Sequence, residues 1–213
     1  MTEEIIFVAL EAFIKSAFMA FVLLTCFAYM TFAERKVAAF VQVRMGPNRV
    51  GPWGLLQPLA DGLKLIFKEE MIPRDADKVL FVLAPILTMI PALVIFAVVP
   101  IGPDVELFGR EIRLAVTDLN VGTLYILSVA SVAVYGIVLA GWSSANKYSL
   151  MGGLRSSAQM ISYEIALGLS IVGPILLAGT LSLNGIVIAQ QHSTWYVLLQ
   201  PVGAFVFLIA ALA

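Results

Sequence analysis

Charge is scarce in this sequence. Lysine, arginine, aspartate and glutamate make up 13% of its 213 residues, against roughly 25% in an ordinary soluble domain, while 61% are hydrophobic. With a formal net charge of −1 there is neither a basic field for nucleic acid nor an acidic tail. Cysteine is reduced to Cys26, which excludes an internal disulfide, and histidine to His192, which has no ligand cluster around it. Metal sites need clustered ligands at set spacings, so the chain is expected to bring no metal, haem, flavin or iron–sulfur centre of its own. Nucleotide-gripping patterns are missing too. Gly46 and Gly51 have the spacing of a phosphate-binding loop, but Pro52 and Trp53 follow where Lys and Ser/Thr are needed. With one remote histidine, a serine nucleophile has no base. The first residues also lack a signal-peptide pattern: Glu3 and Glu4 stand where a positive region belongs, and the apolar run Ile5 to Phe32 is too long.

What is present is a series of long apolar runs. A membrane helix needs about 20 mostly apolar residues, and the sequence offers four complete spans, at 5–33, 79–101, 124–142 and 161–181. A fifth, 195–213, stops inside its apolar run and reads as cut off. The expectation is a single, all-α polytopic membrane domain and a chain that is a piece of a longer one.

The basic residues set an orientation. Eight of the thirteen, Arg35, Lys36, Arg44, Arg49, Lys64, Lys68, Arg74 and Lys78, lie between the first two spans. Lys147 and Arg155 follow the third span, whereas the loop 102–123 holds only Arg110 and Arg113, and the loop 182–194 holds none. The positive-inside tendency places the first and third loops in the cytoplasm and the N-terminus outside.

That first loop opens with "QVRMGPNRVGP". Paired Gly and Pro end any regular element, so Gly46, Pro47, Asn48, Gly51 and Pro52 give a loop of fixed shape carrying Arg44 and Arg49. Next, over 54–68, Gln57, Asp61, Lys64 and Lys68 share one stripe at helical spacing while leucines and Phe67 fill the rest. This segment is too short to span, so it reads as an amphipathic helix lying at the interface.

Ionisable residues at the membrane edge are the candidates for chemistry. Glu34, Arg35 and Lys36 close the first span. Arg155 and Glu164 lie nine residues apart at the start of the fourth, on different helix faces, able to line one cavity without pairing directly. A glutamate inside an apolar helix costs about 2.5–3.5 kcal/mol near the bilayer centre and normally faces a bundle interior. Glu11 and Lys15, at i and i+4, read as a self-satisfied structural pair. Pro85, Pro91 and Gly173-Pro174 permit kinks. The residues alone leave two classes open: a stand-alone transporter with its own substrate path, or a membrane subunit that receives an amphiphile from the bilayer and passes protons.

The stretches "AERKVAAFVQVRMGPNRVGPWGLLQPLADGLKLIFKE", "AVYGIVLAGWSSANKYSLMGGLRSSAQMISYEIALGL" and "LSLNGIV" resemble the H-subunit family of the proton-pumping NADH:quinone oxidoreductases, respiratory complex I. Membrane subunits of energy-converting hydrogenases share the architecture, but the unbroken R-M-G-P-N-R-V-G-P and S-Y-E segments resemble the respiratory branch more closely. The resemblance implies a subunit of a bacterial inner membrane, rather than a mitochondrial one. Its partners would be other membrane-arm subunits and the iron–sulfur subunits of a peripheral arm. It further implies that quinone is bound as substrate, with Glu34, Arg35, Arg44, Asp61 and Lys64 lining its path and Gly46, Pro47, Asn48, Gly51 and Pro52 shaping the loop. Arg155 and Glu164 would belong to the proton path, with Asp61, Lys64, Arg155 and Glu164 expected to shift protonation as quinone is reduced. The family continues beyond the fifth helix into an acidic loop with an A-E-x-x-R-x-P-F-D-L-like motif and three more helices. This sequence stops at Ala213, so the proton path it holds is expected to be incomplete.

Overall fold

The structure, a computed structural model, describes residues 2–102, 105–107, 110–112 and 115–212. Arg113 and Ala213 lie outside the described residues, and so do the side chains of Glu3, Glu4 and Arg110. Four helices, over Leu10–Val41, Lys78–Val98, Gly122–Ser143 and Lys147–Ala178, are long and apolar enough to cross a membrane. They present large apolar side chains outward, among them Phe13, Phe18 and Met30 on the first and Leu169 and Leu176 on the fourth. Such continuous apolar surface belongs in lipid, and the chain is a multi-pass membrane protein. Its residues cluster into two compact units, Met1–Met71 and Ile72–Ala213.

The first unit is built on helix α1 (Thr2–Val41). It runs past the expected end at residue 33 because no glycine or proline interrupts the sequence before Gly46, so Glu34, Arg35 and Lys36 sit within the helix. Val43 ends it in the left-handed region, at φ 54°. The Arg44 N–H donates to the Ala39 carbonyl at 2.9 Å and the Val43 N–H to that of Phe40 at 3.1 Å. This is the Schellman arrangement, with valine where glycine is usual. The chain then folds back, and a Cβ on Gly46 would stand 3.3 Å from that of Ala39, which is fully buried. Gly51, Trp53 and Gly54 follow with φ of 72°, 56° and 84°. Helix α2 (Gln57–Ile66) starts directly after this turn, with a proline in its first turn and Lys64 in its last.

In the second unit, α3 (Lys78–Val94) is capped by Asp77, whose Oδ1 accepts from the Val79 and Leu80 N–H groups at 3.1 and 3.3 Å. Pro85 and Pro91 lie inside it, and beyond Val94 the helix tightens to a 3₁₀ turn through Val98. Helix α4 (Gly122–Ser143) meets α3 at Gly136, where a Cβ would fall 2.6 Å from the Ala84 carbonyl oxygen. On its other flank α4 meets α5 (Lys147–Ala178) through Gly141 and Gly153, whose added Cβ atoms would lie 2.9 Å and 3.1 Å from backbone carbonyls. Small residues at such crossings let helix backbones approach in lipid. That packing, together with the Asn146 cap on the Tyr148 N–H at 2.9 Å, explains why α5 begins well before the expected residue 161. Gly179, at φ 67°, ends it.

The remaining elements are shorter. Helix α6 (Leu183–Gln191), capped by Ser182, occupies the loop expected at 182–194. The fifth apolar run forms α7 (Tyr196–Leu199) and α8 (Pro201–Leu212), interrupted at Gln200, whose side chain fills the space beside Gly173. Within the loop after α3, β1 (Val105–Leu107) and β2 (Arg110–Ile112) form an antiparallel ladder, a small exception among the described residues, whose other regular elements are helices.

Candidate functional site

The first group of residues expected to act together lies in the first unit. Arg35, near the end of α1, and Asp61, in the middle of α2, are 26 positions apart, yet Arg35 Nη1 donates to Asp61 Oδ2 at 2.5 Å. Gln57, one turn before Asp61, donates its Nε2–H to Oδ1 at 3.0 Å. Both carboxylate oxygens are therefore engaged. The hydrogen bond from Gln57, then that from Arg35, with the positive charges of Arg35 and Lys64 added, hold the Asp61 carboxyl below its ordinary value. Lys64 is exposed, one turn further along α2. Glu34 is exposed on α1, and neighbouring Lys36 lies over the Phe32 ring at 5.5 Å.

The Gly-Pro loop joins the same group. Arg35, Gln57 and the segment from Arg44 to Arg49 border one open cleft of about 610 Å³. The turn owes its shape to Gly54, where a Cβ would lie 2.2 Å from the Pro47 carbonyl oxygen, so only glycine lets the two strands of the loop approach. Gly46 and Gly51 are closely surrounded as well, since added Cβ atoms would stand 3.1 Å from the Lys36 side chain and 2.6 Å from that of Leu56.

The second group lies between α4 and α5, along a groove of about 740 Å³ whose walls are mostly aliphatic, among them Leu127, Val138, Ile161 and Leu169. Glu164 is half-buried in it, and Ser131 Oγ stands 2.6 Å from Glu164 Oε1. The same hydroxyl lies 2.9 Å from the Leu127 carbonyl oxygen. A hydroxyl has one proton, so it cannot donate to both. With Glu164 ionised, Ser131 donates to the carboxylate. With Glu164 protonated, the carboxyl donates to Ser131, which turns its own proton to Leu127. The Ser131–Glu164 Oε1 contact is therefore retained in each protonation state, with the serine O–H turned one way or the other.

Arg155 is not part of this groove. It is exposed on α5, and Ser157, buried at 5% exposure, takes the place facing α4 at that end. Glu11 and Lys15 are paired at 2.6 Å, as the i, i+4 spacing leads one to expect. Gln57 and Ser131 were not among the expected site residues. A polar residue inside an apolar helix was the available signal for Ser131, but α4 carries several serines and only the fold selects one.

These observations have a counterpart among known proteins. A family model described as NADH dehydrogenase matches residues 14–213. The chain belongs to this family. Among curated relatives, the NADH-quinone oxidoreductase H-subunit 1 of Geobacter metallireducens is 53% identical over 199 residues, covering 93% of this chain and 60% of its own. The corresponding H-subunit 1 of Geobacter sulfurreducens is 54% identical over 204 residues, covering 91% and 58%. The H-subunit of the Thermomicrobium roseum NADH-quinone oxidoreductase is 52% identical over 201 residues, covering 90% and 59%. The chain thus spans about three-fifths of the length of these NADH dehydrogenase family members.

Proposed function

We propose that this chain is part of a membrane subunit of a proton-translocating NADH:quinone oxidoreductase. It carries no redox cofactor itself, borders the quinone path with its first unit and takes part in proton coupling with its second. Its partners are other membrane subunits and peripheral iron–sulfur subunits, which deliver the electrons. Its membrane is the bacterial inner membrane, with the N-terminus outside and the Gly-Pro loop in the cytoplasm. The relatives' names support the assembly, and the concentration of basic residues between α1 and α3 supports the orientation.

The observation that carries the coupling role is the Ser131–Glu164 contact inside an apolar groove. Reducing a quinone to a quinol takes two electrons and two protons, so charge near the site changes during turnover. A carboxyl group among aliphatic side chains feels such a change strongly because local screening is weak. Glu164 Oε1 keeps its hydrogen bond to Ser131 whichever of the two groups donates, so this contact accommodates the uptake and release of a proton. In the first unit, Arg35, Arg44 and Lys64 supply donors for a quinone carbonyl, Asp61 fixes Arg35, and Glu34 adds an acceptor. Apolar residues of α2 such as Leu59 and Leu63, both exposed, suit the isoprenoid tail. Arg155 is placed on the proton path by resemblance alone.

The decisive experiment is Glu164→Gln in the full-length protein within its complex. Loss of coupled quinone reduction with assembly intact is expected. Wild-type rates of both quinone reduction and proton pumping would remove Glu164 from the mechanism.

A further inference from the structure

Two helices of the second unit are broken side by side. Pro174, inside α5, offers no N–H to the Ser170 carbonyl, and Pro201, after the interruption at Gln200, offers none to that of Val197. The breaks adjoin. A Cβ on Gly173 would overlap Gln200 Oε1, and one on Gly203 would stand 3.6 Å from the Ser170 carbonyl oxygen and 3.7 Å from Gln200 Oε1. Between α5 and α8 at this level lies a cavity of about 370 Å³, far above the roughly 10–15 Å³ that one water needs.

The lining says what occupies it. Ser170, Gln190, Tyr196 and Gln200 are its polar members and none of the lining residues is charged, so the occupant is neutral. Tyr196 is 6% exposed and makes no side-chain hydrogen bond to protein, yet no buried side-chain polar atom among the described residues is left unpaired. Its hydroxyl is therefore accessible, and the space beside it is this cavity. The amides of Gln190 and Gln200 have no protein partner either, while Ser170 Oγ is spent on the Leu167 carbonyl at 2.6 Å. An acyl chain here would leave a hydroxyl, two amides and a carbonyl unpaired, each at the cost of its hydrogen bonds. Water both donates and accepts, and at membrane depth it is one of the few means of satisfying a backbone group that a proline frees.

From this we propose that the cavity between α5 and α8 is a water-binding site, in which water bridges the Tyr196 hydroxyl and the Gln200 amide to the Ser170 carbonyl and replaces the hydrogen bond that Pro174 withholds. The site uses neither the Glu164 groove nor the Arg35 cleft, so it and the proposed function can fail separately.

The test is radiolytic footprinting of the full-length protein in its complex, reconstituted in lipid and equilibrated in water enriched in heavy oxygen. Hydroxyl radicals formed from bound water oxidise the side chains beside it, and the sites are mapped by peptide mass spectrometry. Phe207 lines the cavity, whereas Phe205, on the same helix and 63% exposed, does not. Two phenylalanines have the same intrinsic reactivity, so their ratio reports water alone. Tyr196 should be labelled, and Phe207 should gain heavy oxygen about tenfold faster than Phe205, because water is excluded from hydrocarbon. Gln200→Leu with Tyr196→Phe removes the two side-chain partners and should lower labelling of Phe207 about tenfold, the effect of losing hydrogen bonds to the bound water. Equal rates at Phe207 and Phe205 in the wild-type protein overturn the proposal without any variant being needed, as they would if an acyl chain filled the cavity. Labelling of Phe207 unchanged in the double variant overturns it as well.

Discussion

Ser131 on α4 and Glu164 on α5 face each other across a groove at 2.6 Å, and the serine hydroxyl has a second acceptor, the Leu127 carbonyl, at 2.9 Å. A hydrogen bond to a charged group contributes about 1.5–3 kcal/mol, and its loss leaves the carboxylate unpartnered. Ser131→Ala in the assembled full-length protein should lower coupled quinone reduction by about tenfold, with Ser131→Thr near wild type because it keeps the hydroxyl. Equal rates for the alanine and threonine variants, read as proton pumping in sealed vesicles, would show the hydroxyl to be dispensable.

Gly54 is irreplaceable for two separate reasons. Its φ is 84°, and a methyl group on it would meet the Pro47 carbonyl at 2.2 Å. A left-handed conformation alone costs an L-residue about 1–2 kcal/mol, and the backbone contact adds to it. Gly54→Ala should thus destabilise the loop by more than about 2 kcal/mol, seen as faster cleavage between residues 42 and 56 under limited proteolysis. A cleavage rate equal to wild type would mean that the loop has room the geometry denies it.

Val43 presents the opposite case. It is β-branched and left-handed at φ 54°, in the helix-ending position where glycine is favoured. Val43→Gly should relieve strain of about 1 kcal/mol, partly offset by glycine's greater freedom when unfolded. Thermal unfolding should show a midpoint unchanged or raised, and a clear drop would contradict the strain assignment.

Asp61 sets an acid limit for the first unit. Its folded-state pKa is lowered, first by the Gln57 hydrogen bond and then by that of Arg35. For a depressed carboxylate the stabilisation is fully present above the unfolded value, near 3.9, and disappears as pH falls through the folded value. Between about pH 5 and 8 its contribution should therefore be flat. In pH-dependent melting, Asp61→Asn should run parallel to wild type in that range and converge with it in stronger acid. A wild-type transition between pH 6 and 7 that Asp61→Asn abolishes would show that Asp61 titrates there after all.

The spanning helices were legible because about 20 consecutive apolar residues leave few alternatives. Their limits were less so. Residues 34–41 continue α1 because nothing stops them, and α5 starts at Lys147 because Gly141 and Gly153 allow it to pack close to α4. Both are consequences of context rather than of hydrophobicity. The site was legible as residue types: Arg35, Asp61 and Glu164 stood out as charges in apolar surroundings. Their partners were not, since Arg35 and Asp61 are 26 positions apart and Ser131 and Glu164 are 33 apart. Helical periodicity relates residues within a segment and is silent about which faces of two helices meet.

The length of α1 has a mechanical consequence. Forty residues at 1.5 Å each make about 60 Å of helix, twice the hydrocarbon thickness, and no glycine or proline offers a joint. Helices α3 and α5, by contrast, contain internal prolines and can flex. Near its far end α1 grips Asp61 through Arg35, so α2 is moored to an unjointed strut. The position of α2 along α1 is thereby gauged by a member that must move as a whole or not at all.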